Sequence, residues 1–288
     1  MKRNSDAFSR DRSYLFRWTG RHIEPRLRFN RSKMPKVTPE IRTQYIQLLG
    51  ETLEQGLYAK IPDGDILGNG EIIRLNRPCL CFTELRLGES LEHWRRYGRL
   101  SFGFTKSFIS RRGGGSVSYI NGKKQNPIVR HIEKLSKYLN GKEGAPSDSL
   151  HLLWHYFKRM KDAPQTRKNK SPSRPGRVKS HIQNAISPEE KDYNDSRYPL
   201  VKPLPYLDEH EWRLVYEKGE GWKADEGIAS PSEAWFEFKL GTDLQIVIVP
   251  DNYTLQKVLQ STDLTEMLFP KQGRPPIQVL SIEAVYRV

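Results

Sequence analysis

The sequence predicts an α+β fold, in which a mixed, mostly antiparallel sheet carries flanking helices. Three observations lead to this prediction. Short segments with strand-like patterns are spread along the whole chain, and amphipathic segments with helical spacing are concentrated in its first half. A strand–helix–strand unit also fits within residues 80–108, a length of about thirty residues that suits a compact β-α-β unit. Helices and strands interspersed in this way are typical of α+β domains.

Residues 80–108 are the stretch around which the other elements are arranged. They predict a strand over 80–83, a helix over 89–97 that ends at Gly98, and a second strand over 100–105. The same stretch places polar side chains among aromatic ones, so we expect it to line one side of a functional cleft. These side chains are Thr83, Glu84, His93, Trp94, Tyr97, Ser101 and Lys106.

The other elements follow in chain order. A first strand over 13–19 ends at Gly20, and a helix begins after Thr38, whose hydroxyl can cap it, and ends at Gly56. Further helices are predicted over 126–139, 149–160 and 252–264. Further strands are predicted over 116–120, 211–216, 235–240, 244–249 and 277–288. The run LQIVIV at 244–249 is almost wholly apolar, which favours a central strand.

Charge points to partners of opposite sign. The 288-residue chain carries a net charge of +14, which attracts nucleic acid, acidic proteins or phosphorylated small molecules, although such a charge also serves solubility. Residues 1–12 predict a flexible basic arm, and 13–288 predict a single domain with a mobile basic insertion at about 158–200. The insertion either contacts nucleic acid or is merely solvated. Its candidate contacts are Lys168, Lys170, Arg174 and Arg177.

The cysteines and the apolar runs indicate a compartment. Cys79 and Cys81 are the two cysteines of the chain, too few for a disulfide framework, which favours a reducing environment. No apolar run approaches the roughly 20 residues of a membrane span, and the N-terminal residues lack a hydrophobic signal region. We therefore expect a cytoplasmic protein that does not contact a membrane.

No metal site is predicted. His151 and His155 have the i, i+4 spacing of a helical metal pair, but their neighbours indicate a packing helix, and Cys79 and Cys81 lack a second pair. A carboxylate–lysine nuclease would require an acid followed by Glu-x-Lys. Glu237 and Lys239 supply that tripeptide, with Glu211 as the partner acid, although a strand with outward charges has the same appearance.

Two acids late in the chain are the strongest candidates for chemistry. Glu209 and Glu211 are two residues apart, so on a strand they project from one face. Neighbouring carboxylates raise the pKa of at least one of them, which suits a general base. The alternative is an edge strand with outward charges, on which Glu211 pairs with Arg213.

Five motifs in a fixed order resemble the AbiG-type (AbiGi-like) abortive-infection family of phage-resistance proteins. The motifs are LFRWT at 15–19, LGETLEQGL at 49–57, CFTE at 81–84, HWRRYGRLSFGFTK at 93–106 and EHEWR at 209–213, and the resemblance covers most of the chain from Tyr14 to its end. Arg17 stands where that family has a histidine. The resemblance implies a role in defence against phage.

The first strand and the following helix are also similar to the start of ADP-ribosyltransferase folds, including the DarT-like ones. That similarity implies that Arg17 and Thr19 bind NAD, that Thr83 and Tyr97 line its pocket, and that Glu211 is the catalytic acid, assisted by Glu209. A guanidinium suits phosphate because its fork is bidentate and permanently charged. The alternatives are a non-enzymatic, antitoxin-like or nucleic-acid-binding defence component with a companion protein, or the nuclease described above.

Overall fold

The computed structural model describes residues 14–24, 36–62, 65–68, 71–74, 76–84, 91–121, 127, 130, 131, 134, 155–160, 210–219, 221–224, 231–269 and 275–285. The chain divides into two compact units. The first comprises Met1–Pro62, Asn76–Val117 and Glu209–Val288, and the second comprises Asp63–Leu75 and Ser118–Asp208. The predicted arm at 1–12 and residues 161–200 of the predicted insertion lie outside the described residues. The single-domain assignment stays a prediction.

The described residues form strands and helices along the chain. The strands are β1 (Tyr14–Thr19), β2 (Leu57–Lys60), β3 (Asp65–Gly68), β4 (Glu71–Arg74), β5 (Cys79–Thr83), β6 (Leu100–Thr105), β7 (Gly115–Ser116), β8 (Ser118–Asn121), β9 (Phe157–Met160), β10 (Glu211–Val215), β11 (Trp222–Lys223), β12 (Glu233–Phe236), β13 (Leu244–Val249) and β14 (Gln278–Ser281). The helices are α1 (Pro39–Gln55), α2 (Leu91–Tyr97), α3 (Lys106–Arg111), α4 (Asn252–Gln260), α5 (Thr262–Leu268) and α6 (Ile282–Val285).

One mixed sheet organises the first unit. Its strand order is β11-β12-β2-β5-β1-β6-β13-β14, with β10 added to β5 and β7 added to β10. Every pairing is antiparallel except that of β13 with β14. The predicted α+β class with a mixed, mostly antiparallel sheet is confirmed. In the second unit, β3 pairs with β4 antiparallel and β8 pairs with β9 parallel.

The predicted strand–helix–strand unit is confirmed as β5, α2 and β6. β1 lies between β5 and β6 and runs antiparallel to both. Gly98 ends α2 with φ at +108°, a backbone conformation that residues other than glycine rarely adopt. A Cβ at Gly98 would overlap the Thr19 carbonyl oxygen, so the turn after α2 can approach the end of β1 because it carries no side chain.

The apolar side chains of the sheet form two cores, one on each face. The larger core joins α1 to the sheet through Tyr45 and Leu49, which pack with residues such as Leu15, Phe102 and Phe104. The smaller core contains Phe16, Trp18, Trp94, Ile246, Ile248 and Ile282. Leu15 and Phe16 belong to different cores because successive residues of a strand point to opposite faces.

The boundaries of α1 follow its local sequence. The Thr38 hydroxyl accepts a hydrogen bond from the Ile41 backbone N–H at 3.3 Å, Pro39 begins the helix, and Gly56 ends it with φ at +98°. The predicted helix over 252–264 is instead two helices, α4 and α5. Ser261 separates them because its hydroxyl caps α5, accepting from the Leu264 N–H at 3.4 Å.

Three other predictions were wrong at particular residues. The helix predicted over 149–160 is contradicted at Phe157–Met160, which pairs with β8 as a strand. The terminal strand predicted over 277–288 stops at Ser281, and α6 follows. The strand predicted over 235–240 is β12, which ends at Phe236. A strand forms where a partner strand is there to pair with it. In each case the presence or the absence of such a partner outweighed the local sequence pattern.

Candidate functional site

The site is built around β5, whose two edges meet different partners. Along one edge β10 pairs with the whole strand, from Glu211 opposite Thr83 to Val215 opposite Cys79. The other edge changes partner along its length. Thr83 lies opposite Phe16 of β1, whereas Cys79 lies opposite Lys60 of β2. β5 therefore collects residues from three distant parts of the chain.

Arg17 occupies the position between these two bridges. Its Nη1 donates a hydrogen bond to the Cys81 carbonyl oxygen at 3.1 Å, on the edge of β5 that faces β1 and β2. The guanidinium is half-buried and forms no ion pair with a carboxylate within the part of the chain that the structure describes. A permanent positive charge without a local acidic partner is therefore held beside the middle of β5.

Glu211 lies on the other side of β5 and is paired with Arg213. Arg213 Nε donates to Glu211 Oε1 at 2.8 Å, and the two side chains are 7% and 8% exposed. The pair suggested by the sequence is formed. The edge strand with outward charges is not, because β10 lies between β5 and β7 and both side chains are buried. A buried ion pair holds each group in one orientation.

The two cysteines lie between Arg17 and Arg213. The Cys79 thiol, through its hydrogen bond to the Cys81 sulfur, lowers the pKa of Cys81. Burial and the Glu211 carboxylate oppose this effect, and the charges of Arg213 and Arg17 reinforce it. Burial alone would lower the pKa of Arg213, but the anionic neighbours Cys81 and Glu211 raise it. Two guanidiniums, one carboxylate and two thiols thus act on one another at close range.

Three of the predicted site residues lie on β5 or along its two edges. Thr83 is buried and lies in one cross-strand row with Phe16 and Glu211. Arg17 follows Phe16, so it projects from the opposite face of β1, and it reaches β5 at the Cys81 carbonyl. Thr19, the last residue of β1, is about 10 Å beyond Phe16 along that strand, at roughly 3.3 Å per residue. Arg17, Thr83 and Glu211 therefore form the candidate site.

Tyr97 lies at another place on the first unit. It is the last residue of α2, its side chain is 38% exposed, and its ring centroid is 6.0 Å from that of His93. The adjoining Gly98 abuts the Thr19 carbonyl, so Tyr97 is near the end of β1 and away from the row of Thr83. The remaining predicted residues lie outside the described ones: Glu209, Lys168, Lys170, Arg174 and Arg177.

A second polar cluster joins three of the motifs and was not assigned from the sequence. Lys106 Nζ bonds to Glu84 Oε1 at 2.6 Å, and the Trp212 indole N–H donates to Glu84 Oε2 at 2.8 Å. These residues come from the CFTE motif, from the C-terminal end of the fourth motif at 93–106 and from the EHEWR motif. Glu84 and Lys106 belong to the polar side chains that the sequence indicated at 80–108, whereas no pattern in the sequence indicated that Trp212 joins them.

The nuclease set is not brought together. Glu237 pairs with Lys223 of β11, and the backbone N–H of Lys239 donates to Asp243 Oδ2 at 2.8 Å. The sheet order places β2 and β5 between β12 and β10, so Glu237 is separated from Glu211 by two strands.

Among the described residues, no group of three or more His, Cys, Asp or Glu side chains is arranged to hold a metal ion. Within the same part of the chain, no helix combines the length and apolar character needed to cross a membrane.

No family model, curated protein or solved structure matches this chain. The function of the site is therefore inferred from its geometry and from the motifs that meet there.

Proposed function

We propose that this chain is an abortive-infection (phage-defence) protein that binds NAD beside β5 and transfers its ADP-ribosyl group to an acceptor. One observation carries the proposal. Arg17 and Glu211, which the resemblance assigns to the cofactor and to catalysis, lie far apart in the chain yet flank the same short strand. Both groups influence the pKa of Cys81, which lies between them.

Arg17 supports the binding of a dinucleotide. One of its nitrogens is engaged with the Cys81 carbonyl, which orients the guanidinium, and the group keeps further N–H donors. A guanidinium can donate two hydrogen bonds to phosphate oxygens at once. Because Arg17 is half-buried, such an interaction is stronger there than in bulk water. The pyrophosphate of NAD fits this chemistry.

Glu211 supports the transfer step. When nicotinamide leaves the ribose, positive charge develops on the sugar carbon, and a carboxylate fixed near that carbon stabilises it. The ion pair with Arg213 keeps Glu211 in a defined orientation within a buried site. Thr83, opposite Glu211, brings a hydroxyl to the same face, since directly opposed residues of antiparallel strands point the same way.

The test is release of nicotinamide from NAD by the purified chain, with nucleic acid and protein offered as acceptors. We expect Glu211→Gln to reduce the rate about 100-fold or more, as loss of a transition-state contact does. Glu237→Gln is the matched control, because that exposed acid is paired with Lys223 away from the site. The control should retain activity within about twofold.

A second variant separates binding from folding. Arg17→Lys keeps the charge but loses the planar fork, so we expect KM for NAD to rise while kcat changes little. Urea unfolding of each variant reports whether it is folded. The proposal fails if the folded wild-type chain releases no nicotinamide with any acceptor, or if folded Glu211→Gln turns over NAD like the wild type.

The net charge favours a second candidate, a non-enzymatic component that binds nucleic acid. Such binding releases counterions, so its affinity must fall steeply as salt is added. Fluorescence anisotropy with labelled DNA and RNA at increasing salt measures this dependence. Salt-sensitive binding without nicotinamide release would favour this candidate over the enzyme.

A further inference from the structure

We propose that Cys81 is a site of reversible thiolation by small anionic disulfides, which Arg17 and Arg213 attract to it. The thiolated form carries a mixed disulfide between Cys81 and half of the small molecule. This inference goes beyond the proposed function, because thiol exchange requires no NAD and is measured without it.

The surroundings of Cys81 are positively charged on both sides. Arg213 lies directly opposite it on β10, and Arg17 donates to its backbone carbonyl at 3.1 Å. Arg17 has no acidic partner within the described residues, and Arg213 forms an ion pair with Glu211. An anionic reagent that approaches Cys81 therefore comes under the attraction of two guanidiniums, of which Arg17 has no carboxylate partner among the described residues.

The two cysteines differ in solvent exposure and in pKa. Cys81 is half-buried, whereas the Cys79 side chain is buried. They share one face of β5 because they are two residues apart on a strand. The Cys79 thiol donates its hydrogen to the Cys81 sulfur, and this raises the pKa of Cys79 while it lowers that of Cys81. Reactive cysteines are partly accessible, lie in electropositive surroundings and have a lowered pKa, and Cys81 meets these conditions.

The exchange step balances without a further oxidant. The Cys81 thiolate attacks one sulfur of the incoming disulfide, a new S–S bond forms, and the old S–S bond breaks. The other half leaves as a thiolate, which carries away the negative charge that the Cys81 thiolate brought. Free thiol reverses the reaction by the same route.

The product should be the mixed disulfide and not an internal Cys79–Cys81 bond. Two residues along a strand span roughly 6.4–6.8 Å between their Cα atoms. The Cα atoms of disulfide-bonded cysteines are about 4.4–6.8 Å apart, most often about 5.5–6 Å. The strand spacing lies at the upper limit of this range, so an internal bond of ordinary geometry would distort β5 within its pairing to β10.

The experiment compares two disulfides of opposite charge on the full chain. The anionic one is 5,5′-dithiobis(2-nitrobenzoate), the cationic one is cystamine, and mass spectrometry follows the thiolated protein over time. Each rate is divided by the rate for the same chain unfolded in urea, which cancels the intrinsic reactivity of the reagent. We expect the normalised rate to be about tenfold higher for the anionic disulfide at low salt, with the preference shrinking as salt is added.

Variants assign the reaction. Cys79→Ser should keep one reactive thiol, and Cys81→Ser should lose the fast reaction. Arg17→Gln should weaken the preference for the anionic disulfide, whereas Arg111→Gln, which alters an exposed arginine of α3, should leave it unchanged. The proposal is overturned if Cys79 is the thiol that reacts. It is also overturned if the folded chain reacts no faster with the anionic disulfide than with the cationic one, or if it does not react at all.

Discussion

Trp212 donates its indole N–H to the Glu84 carboxylate at 2.8 Å, although the two residues are 128 positions apart in the chain. The second oxygen of that carboxylate accepts from Lys106 at 2.6 Å, and the Lys106 ammonium lies 4.7 Å from the centre of the Trp212 ring. This closed triangle ties the ends of β5 and β6 to β10. It holds in place the strand that carries Glu211 and Arg213.

Replacing Trp212 by Phe should lower the free energy of unfolding by about 1–2 kcal/mol, because a smaller aromatic ring remains while a hydrogen bond to a charged acceptor is lost. Urea unfolding measures the change. A double-mutant cycle with Glu84→Ala should give a coupling energy of about 1 kcal/mol. Trp235→Phe is the control, since that indole packs on exposed Tyr58, and it should cost less than about 0.5 kcal/mol. Strictly additive effects of the Trp212 and Glu84 changes would contradict the triangle.

Tyr45 is a buried hydrogen-bonding centre, and Tyr45→Phe should be costly. Its hydroxyl donates to Glu24 Oε2 at 2.9 Å and accepts from the Arg99 backbone N–H at 3.0 Å. Loss of the hydroxyl leaves both groups short of a partner in a buried place, a cost of about 1–3 kcal/mol.

The matched control is Tyr58→Phe. Tyr58 is 43% exposed, and its hydrogen bond to Glu233, with burial and the Glu233 charge adding to the effect, raises the pKa of Tyr58 to about 12. Water replaces the lost partner at such a site, so the change should stay within about 0.5 kcal/mol. Equal effects of the two substitutions on unfolding in urea would argue against the role of Tyr45.

Gly98→Ala should destabilise the first unit more than Gly219→Ala. Both glycines have positive φ, +108° and +91°, so each substitution carries a conformational cost of about 1–2 kcal/mol. A Cβ at Gly98 would also overlap the backbone of Thr19, whereas a Cβ at Gly219 would meet nothing within 4 Å. The difference between the two free energies of unfolding isolates the steric contribution, and a difference near zero would contradict the close packing of α2 on β1.

Asp251 should make the fold sensitive to acid. Burial raises the pKa of Asp251, but hydrogen bonds from Arg42 and Thr254 and the Arg42 charge outweigh it and bring the pKa below 3.8. A folded pKa below the unfolded one means that the stabilisation is present above 3.8 and is lost as pH falls through the folded pKa. Asp251→Asn keeps an N-cap residue but loses the charge that pairs with Arg42, so it should cost about 0.5–1 kcal/mol at neutral pH and progressively less in acid.

Urea unfolding at a series of pH values measures this difference. Asp263→Asn is the control, because that exposed aspartate lies in the first turn of α5 without capping it. Its effect should stay within about 0.5 kcal/mol. A difference for Asp251→Asn that is the same at every pH would show that the charge of Asp251 contributes nothing.

Local sequence was sufficient for the elements whose signals are short in range. Thr38, Pro39 and Gly56 set the limits of α1, and the apolar run of β13 indicated an interior strand, which lies between β6 and β14. Capping, proline and glycine effects act within a few residues, and an apolar run is buried wherever it pairs. The same locality explains why Phe157–Met160 was predicted incorrectly, since its strand exists only through pairing with β8.

The pairing of strands that are distant in the chain determines which residues form the candidate site. The motifs indicated Arg17, Thr83 and Glu211, but their convergence depends on β5 pairing with β10 on one edge and with both β1 and β2 on the other. Spacing along the chain could not show that Glu211 is buried against Arg213, or that Tyr97 lies near the end of β1. Register and partner choice in a sheet arise from contacts between residues distant in the chain, so they follow from packing of the whole unit and not from any local pattern.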